Sequence, residues 1–115
     1  MKENVIMRKS FAFSVRIVNL HRYLSRKKNE FVISRQICKS GTSIGANIAE
    51  AQQAQTRPDF LSKLNISLKE TTETLYWLRL LEATDYLTKS EYESIASDCI
   101  ELEKILTASV KAIKK

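Results

Sequence analysis

Apolar side chains recur along this chain at steps of three and four residues, and short polar segments near residues 27–30, 53–56 and 85–88 interrupt the pattern. Such steps place side chains on one face of an α-helix, whereas a half-buried strand alternates at every second residue. The pattern therefore predicts four helices, with approximate bounds of Val5–Arg26, Ile33–Gln53, Thr56–Ala83 and, for the fourth, a start at Thr88.

Two of these starts have the residues that cap helices. Thr56 is followed by Pro58, which is tolerated in a first turn, and by Asp59 three residues on. Thr88 and Glu91 have the same spacing. Both segments predict that a helix begins there, because the threonine hydroxyl accepts from a backbone N–H that the first turn leaves without a partner.

Only two glycines and one proline occur in 115 residues, too few for the closely spaced turns of a β-sandwich or barrel. At this length one hydrophobic core is the usual outcome, so we expect residues 1–115 to form one domain. Short connections make successive long helices antiparallel. The predicted fold class is all-α, an antiparallel up-down-up-down four-helix bundle.

The first two predicted helices differ in the side chains they offer to a core. On a helical wheel, Met7, Val15 and Val18 lie within about 40° of Phe11, which predicts that this side of the first helix is buried. The second helix instead carries Gly41, Gly45 and Ala49 at steps of four. Because glycine costs about 1 kcal/mol relative to alanine inside a helix, we expect these residues to admit a neighbouring backbone. A phosphate-binding loop would need a preceding strand and a Gly-Lys-Ser/Thr ending that this segment lacks.

The third predicted helix is apolar on two sides. The side of Leu64 is continued along the helix by Leu68, Leu75 and other apolar residues. Ile66, Trp77 and Leu80 fall on nearly the opposite side. A bundle helix needs only one apolar stripe, so we interpret the second as a subunit interface anchored by the tryptophan. The alternatives are a wide core-facing surface or scattered exposed apolar residues.

Basic residues are concentrated in the first third of the chain. The formal net charge is +6, and residues 1–39 contain ten Lys or Arg against two Glu, a net of +8. On the first helix five of these cations share one sector about 100° wide, with almost no acid to balance it. This face predicts binding to the phosphates of RNA or DNA without base specificity, the alternative being a solvated charged face. The residues concerned are Arg8, Lys9, Arg16, Tyr23, Arg26, Lys27 and, in the following break, Lys28.

No set of residues suitable for catalysis is recognisable. His21 is the only histidine, Cys38 and Cys99 have no metal-type spacing, and Asn47 and Glu50 read as a structural pair without a second acid–base group. We therefore predict a protein that is not an enzyme and needs no metal or cofactor. The chain has neither a membrane-length apolar segment nor the apolar core of a secretion signal, which predicts a cytoplasmic protein with reduced cysteines.

Two motifs follow one another along the second and third predicted helices. The first is the run from Lys39 to Ala51 (Lys-Ser-Gly-Thr-Ser-Ile-Gly-Ala-Asn-Ile-Ala-Glu-Ala), and the second comprises Phe60, residues 67–70 and residues 73–78. Together they resemble the motifs of a bacterial family, the 23S rRNA intervening sequence proteins, although Lys39 stands where the family usually has Arg. The residues that match the first motif, to which we assign a structural role, are Ser40, Gly41, Ser43, Ile44, Gly45, Asn47, Ile48 and Glu50.

This resemblance implies an antiparallel four-helix bundle that assembles as a ring-shaped homopentamer. The accessory protein of diversity-generating retroelements is similar in fold, and it engages nucleic acid and a reverse transcriptase through a basic surface. We therefore expect a homo-oligomeric scaffold that binds RNA or DNA, with a protein such as a reverse transcriptase as a further candidate partner. The alternative hypothesis is a protein-binding adaptor with no nucleic-acid binding.

Overall fold

The computed structural model describes residues 4–114, and over this range the chain forms four α-helices and no β-strand. Their bounds are α1 Val5–Lys27, α2 Ile33–Ala51, α3 Arg57–Ala83 and α4 Lys89–Lys114. Each helix packs against the next along the chain, and α4 returns to α1. The result is the predicted all-α, antiparallel up-down-up-down bundle, 44 Å long and 24 by 20 Å across. The predicted helix ends agree with the structure to within two residues.

Side chains cap the starts of α3 and α4 as predicted. Thr56 Oγ1 accepts from the backbone N of Asp59 at 3.1 Å. At α4, Thr88 Oγ1 accepts from Glu91 N at 3.1 Å, and Glu91 Oε1 accepts from Thr88 N at 2.8 Å. This reciprocal pair is a capping box, which satisfies two backbone donors at once.

The helix ends at α1 and α3 rely on residues other than glycine. Asn29 and Asp85 have φ values of 53° and 67°, in the left-handed region. Asn and Asp tolerate this region better than most residues because their short polar side chains bond locally. After Asp85, the backbone N of Tyr86 donates to the Leu81 carbonyl at 2.9 Å. Each turn therefore reverses the chain within a few residues, which keeps neighbouring helices antiparallel.

Glu30 caps the start of α2, a role that the sequence pattern did not indicate. Its carboxylate accepts from the backbone N of Val32, Ile33 and Ser34 at 3.2, 3.0 and 2.7 Å. The Ser34 hydroxyl donates back to the Glu30 carbonyl at 2.9 Å. The residue is 7% exposed. Its carboxylate lies at the first N–H groups of α2, a position that favours an anion.

The prediction for the buried side of α1 was wrong. Phe11 is 72% exposed and Val15 is 46% exposed, while Met7 and Val18 are only partly buried. The helix carries a second apolar stripe on nearly the opposite side, and this is the one that faces the core: Phe13, Ile17 and Leu24 are buried.

The small residues of α2 explain why the stripe of Phe13 and Ile17, rather than that of Phe11 and Val15, faces the core. A Cβ added at Gly41 would lie 2.7 Å from the side chain of Ile17, which is fully buried. A Cβ at Gly45 would lie 3.0 Å from Ser14 Oγ and 3.2 Å from the carbonyl oxygen of Ser10. The two glycines thus allow α1 to approach α2 closely, which confirms their predicted packing role.

Buried hydroxyl groups join α2 to α3. Ser67 Oγ donates to the carbonyl of Ile44 at 2.8 Å, and Thr74 Oγ1 donates to Ser40 Oγ at 3.0 Å. All three hydroxyl-bearing residues are fully buried. Because a buried polar group without a partner would be costly, these bonds specify how α3 is aligned on α2.

Candidate nucleic-acid interface

All the formally charged residues of α1 are basic. Its 23 residues include six Lys or Arg and no Asp or Glu. Lys2 and Glu3, which enter the charge count for the first third of the chain, lie outside the described residues. The candidate interface must therefore be judged by where the α1 cations lie and which groups they contact.

Two of the predicted cations bind to acids of α4. Lys9 Nζ lies 3.1 Å from Glu101 Oε2, and Arg16 Nη1 lies 2.8 Å from Asp98 Oδ2. Arg16 also donates to the carbonyl and the hydroxyl of Ser94 at 3.2 and 3.0 Å. The expectation that almost no acid balances this face was therefore wrong, because a helical wheel of α1 alone omits the carboxylates that α4 brings beside it.

The predicted cations at the C-terminal end of α1 are exposed. Arg26 and Lys27 occupy the last turn and Lys28 follows it. Lys28 Nζ lies 5.9 Å from the ring centroid of Tyr23, close enough for a cation–π contact. Cations in a last helical turn also stabilise the helix dipole, a structural role compatible with binding. At the other end of α1, Arg8 is exposed and borders a groove that Asp98 and Glu101 also line.

The connection between α1 and α2 adds residues that the sequence analysis did not place in the interface. We call residues 26–35 the α1–α2 tip. In it Phe31 is 51% exposed and Val32 is 66% exposed, and Arg35 is exposed on the first turn of α2. An apolar pair directly after a polar break was the available signal, but the sequence does not show whether such a pair turns inward.

The second apolar stripe of α3 is partly exposed. Ile66 is 41% exposed, whereas Trp77 and Leu80 are partly buried. The Trp77 ring packs against the core and meets the Tyr76 ring edge-on, with centroids 5.2 Å apart. Tyr76, which the sequence analysis did not select, is 58% exposed. The stripe thus combines an exposed apolar surface with a tryptophan that also contributes to the fold.

Asn47 and Glu50 of the first family motif make structural bonds. Asn47 Nδ2 donates to the Ser43 carbonyl within α2 at 2.8 Å. Glu50 Oε1 lies 3.0 Å from Lys63 Nζ of α3, and this bond raises the pKa of Lys63.

The Cys99 thiol is not an activated nucleophile. Burial raises the pKa of the Cys99 thiol to about 12, and its Sγ lies 3.6 Å from the Thr71 carbonyl. A thiol with that pKa stays protonated at neutral pH, and the protonated form is a poor nucleophile. Cys38 is free and partly buried. Within residues 4–114, no three His, Cys, Asp or Glu side chains are grouped as metal ligands would be.

A groove of about 480 Å³ separates parts of α1 and α4. Its α1 wall includes Arg16, Leu20 and Tyr23, and its α4 wall includes Ser94 and Ile95. Since the Arg16 guanidinium is already bonded to Ser94 and Asp98, the groove is a mixed polar and apolar surface rather than an anion pocket. None of the helices in the described part of the chain has the length and apolar character needed to cross a membrane.

The matches to known proteins extend over nearly the whole bundle. Residues 2–108 match the family described as 23S rRNA-intervening sequence protein. The chain is also similar to the crystal structure of a protein of unknown function from the S23 ribosomal protein family of Bacteroides thetaiotaomicron VPI-5482, with 56% identity and a TM-score of 0.92 over 93% of this chain and 99% of that one. None of the curated proteins matches. The neighbour supports the fold, and its function is unknown.

Proposed function

Since this chain belongs to the 23S rRNA-intervening sequence protein family, we propose that it is a non-catalytic, homo-oligomeric helical scaffold that binds RNA or DNA through the basic surface of α1. The observation that carries this proposal is the exposed C-terminal end of α1, where Arg26, Lys27 and Lys28 lie at the surface of a helix without carboxylates. The family resemblance supports a pentamer as the assembled form.

Two exposed apolar surfaces support assembly. The α1 stripe has Phe11 and Val15 at its centre, and the α3 stripe consists of Ile66, Trp77 and Leu80, of which Ile66 is exposed and the other two are partly buried. Exposed apolar residues are normal singly, but an aromatic residue within a stripe at helical spacing is typical of a protein interface. α1 and α3 are diagonal in the bundle, so the two stripes face different directions.

Binding to nucleic acid follows from the exposed end of α1. Arg26, Lys27 and Lys28 can each neutralise a phosphate and release a counterion, a contribution that does not depend on base sequence. If several copies present this end around one ring, a long polyanion contacts more than one copy, and weak contacts multiply through effective concentration. Affinity should therefore be highest for the assembled form.

The test is a titration of labelled RNA and duplex DNA at two salt concentrations. The double variant Arg26→Glu/Lys27→Glu should bind at least about tenfold more weakly and lose about 0.7 to 0.9 of the log–log salt slope per lost contact. The control Lys104→Glu/Lys111→Glu makes the same change in net charge at exposed positions on α4. If both variants lose affinity equally, net charge rather than the α1 surface is responsible.

A protein-binding adaptor is the second candidate, favoured by the 72% exposure of Phe11. It becomes the better proposal if wild type binds neither polymer at low salt. Light scattering tests the assembly separately: we expect a species larger than a dimer, and a 13.2 kDa monomer at working concentrations would contradict the oligomeric scaffold under either function.

A further inference from the structure

The α1–α2 tip holds an aromatic side chain outward on a fixed backbone. Phe31 is 51% exposed and Val32 is 66% exposed. The turn that carries them is anchored on both sides, because the Glu30 carboxylate accepts three backbone N–H groups of the α2 start and Glu30 N donates to the Leu24 carbonyl at 2.9 Å. Because this backbone is already ordered, binding through the ring requires no further ordering of the turn.

Within residues 26–35, every exposed charged side chain is basic. Arg26, Lys27, Lys28 and Arg35 are exposed in the tip. The one acid among these residues, Glu30, is buried and its carboxylate is directed into the start of α2. The tip therefore combines a solvent-facing aromatic side chain with four exposed cations, and its one carboxylate is buried.

We propose that the α1–α2 tip is a binding site for single-stranded nucleic acid, in which Phe31 stacks on a base and the neighbouring cations bind the flanking phosphates. This inference rests on the proposed function and identifies its ligand as single-stranded. A duplex hides the faces of its bases, whereas a single strand can place them on an aromatic ring. Stacking accepts every base, so the site should have little sequence preference.

An anionic membrane surface is the other partner that basic and apolar residues can fit. The apolar part of the tip consists of two adjacent exposed side chains, Phe31 and Val32. A single myristoyl chain, which buries more apolar surface than these two side chains, gives only marginal membrane binding. Stacking on bases makes better use of one rigid ring, so we favour nucleic acid.

The experiment compares two exposed apolar side chains, one inside the tip and one outside it. Fluorescence anisotropy with labelled 20-nucleotide oligo(U) and oligo(dT) should show Phe31→Ala binding about 5- to 150-fold more weakly than wild type, the range expected for one lost stacking contact. Ile100→Ala is the control, because Ile100 is 37% exposed on α4 and lies outside the tip and outside the exposed stripes of α1 and α3. Phe31→Ala and wild type should bind a 20-base-pair duplex with equal affinity.

A second variant tests stacking directly. Phe31→Trp keeps an aromatic ring and should bind oligo(U) as wild type does, and the new tryptophan should be quenched on binding. Circular dichroism checks that each variant retains the helical bundle.

The outcomes separate this inference from the proposed function. Wild type that binds neither single strands nor duplex overturns both. Binding that Phe31→Ala leaves unchanged, or that is equally tight for duplex, overturns the single-strand site alone. Phe31-dependent binding to phosphatidylserine vesicles, without binding to oligo(U), assigns the tip to a membrane surface instead.

Discussion

Helix α1 carries two apolar stripes of similar composition, and the bundle buries only one of them. Phe13 and Ile17 of the buried stripe are 2% and 0% exposed, whereas Phe11 and Val15 of the exposed stripe are 72% and 46% exposed. The difference lies outside the helix. The side chain of Ile17 fits over Gly41, which leaves the space that a Cβ would occupy. A helix that could face inward on either side is thus oriented by the surface of its neighbour.

The same comparison separates folding from assembly. The buried stripe gains its free energy within one chain, so substitutions there should lower the stability of each subunit. The exposed stripe makes no such contribution and is available to a partner. Substitutions at matched positions of the two stripes can therefore distinguish the two roles.

The largest effect is expected for Phe13→Ala. Removing a buried phenylalanine should lower the free energy of unfolding by about 3 to 5 kcal/mol, through lost burial and the cavity left behind. Phe11→Ala, on the exposed stripe of the same helix, should change subunit stability by less than about 0.5 kcal/mol. Urea unfolding at several protein concentrations measures both and separates subunit stability from assembly. Similar losses for the two variants would mean that both stripes are buried in the folded subunit.

The next effect concerns assembly. Phe11→Arg and Ile66→Arg should each weaken association by about 2 kcal/mol or more if the two stripes are interface centres. Because the stripes lie on diagonal helices, a ring would join unlike surfaces. Each variant alone should then be monomeric, and an equimolar mixture should form dimers through the one intact contact. Light scattering reads the masses, and a variant that keeps the wild-type mass would exclude its stripe from the interface.

Gly41→Leu should disturb the packing of the buried α1 stripe against α2. The added side chain would collide with Ile17, whose atoms lie within 2.7–2.9 Å of the position of a Cβ, and overpacking of this kind costs about 1 to 3 kcal/mol. Gly45→Leu should also destabilise, since its Cβ would approach Ser14 and a backbone carbonyl. Ala46→Leu is the control, because Ala46 is exposed on the same helix. Equal melting temperatures for Gly41→Leu and Ala46→Leu would contradict the close approach.

The smallest effect is expected where α1 meets α4 through ions. Arg16→Ala removes the contact with Asp98, whose side chain is 47% exposed, and pairs of this kind contribute about 0.2 to 1 kcal/mol. The loss should shrink in high salt, because exposed charges are screened. Arg22→Ala, at an exposed position of the same helix, should show no comparable loss. A larger, salt-independent loss for Arg16→Ala would show that its stem packs as an apolar group.

Contacts between residues only a few positions apart could be predicted from the sequence. Thr88 and Glu91 form the predicted capping box because both partners lie within one helical turn. Gly41 was assigned to close packing from its cost inside a helix, and the structure names Ile17 as the residue it admits. Glu30 was missed although its bonds are equally local, since Ser, Thr, Asp and Asn are the side chains usually expected at a helix start.

Local spacing, capping and the scarcity of turn residues thus determined four helices, their order and their class of packing, because helix formation depends on neighbours three and four residues apart. Only the tertiary structure decided which α1 stripe is buried, that Lys9 and Arg16 bind acids of α4, and that Phe31 faces solvent. Each of these depends on contacts, or on their absence, between residues far apart in the chain. A helical wheel describes one helix, whereas burial and ion pairing are properties of the surfaces that several helices present to one another.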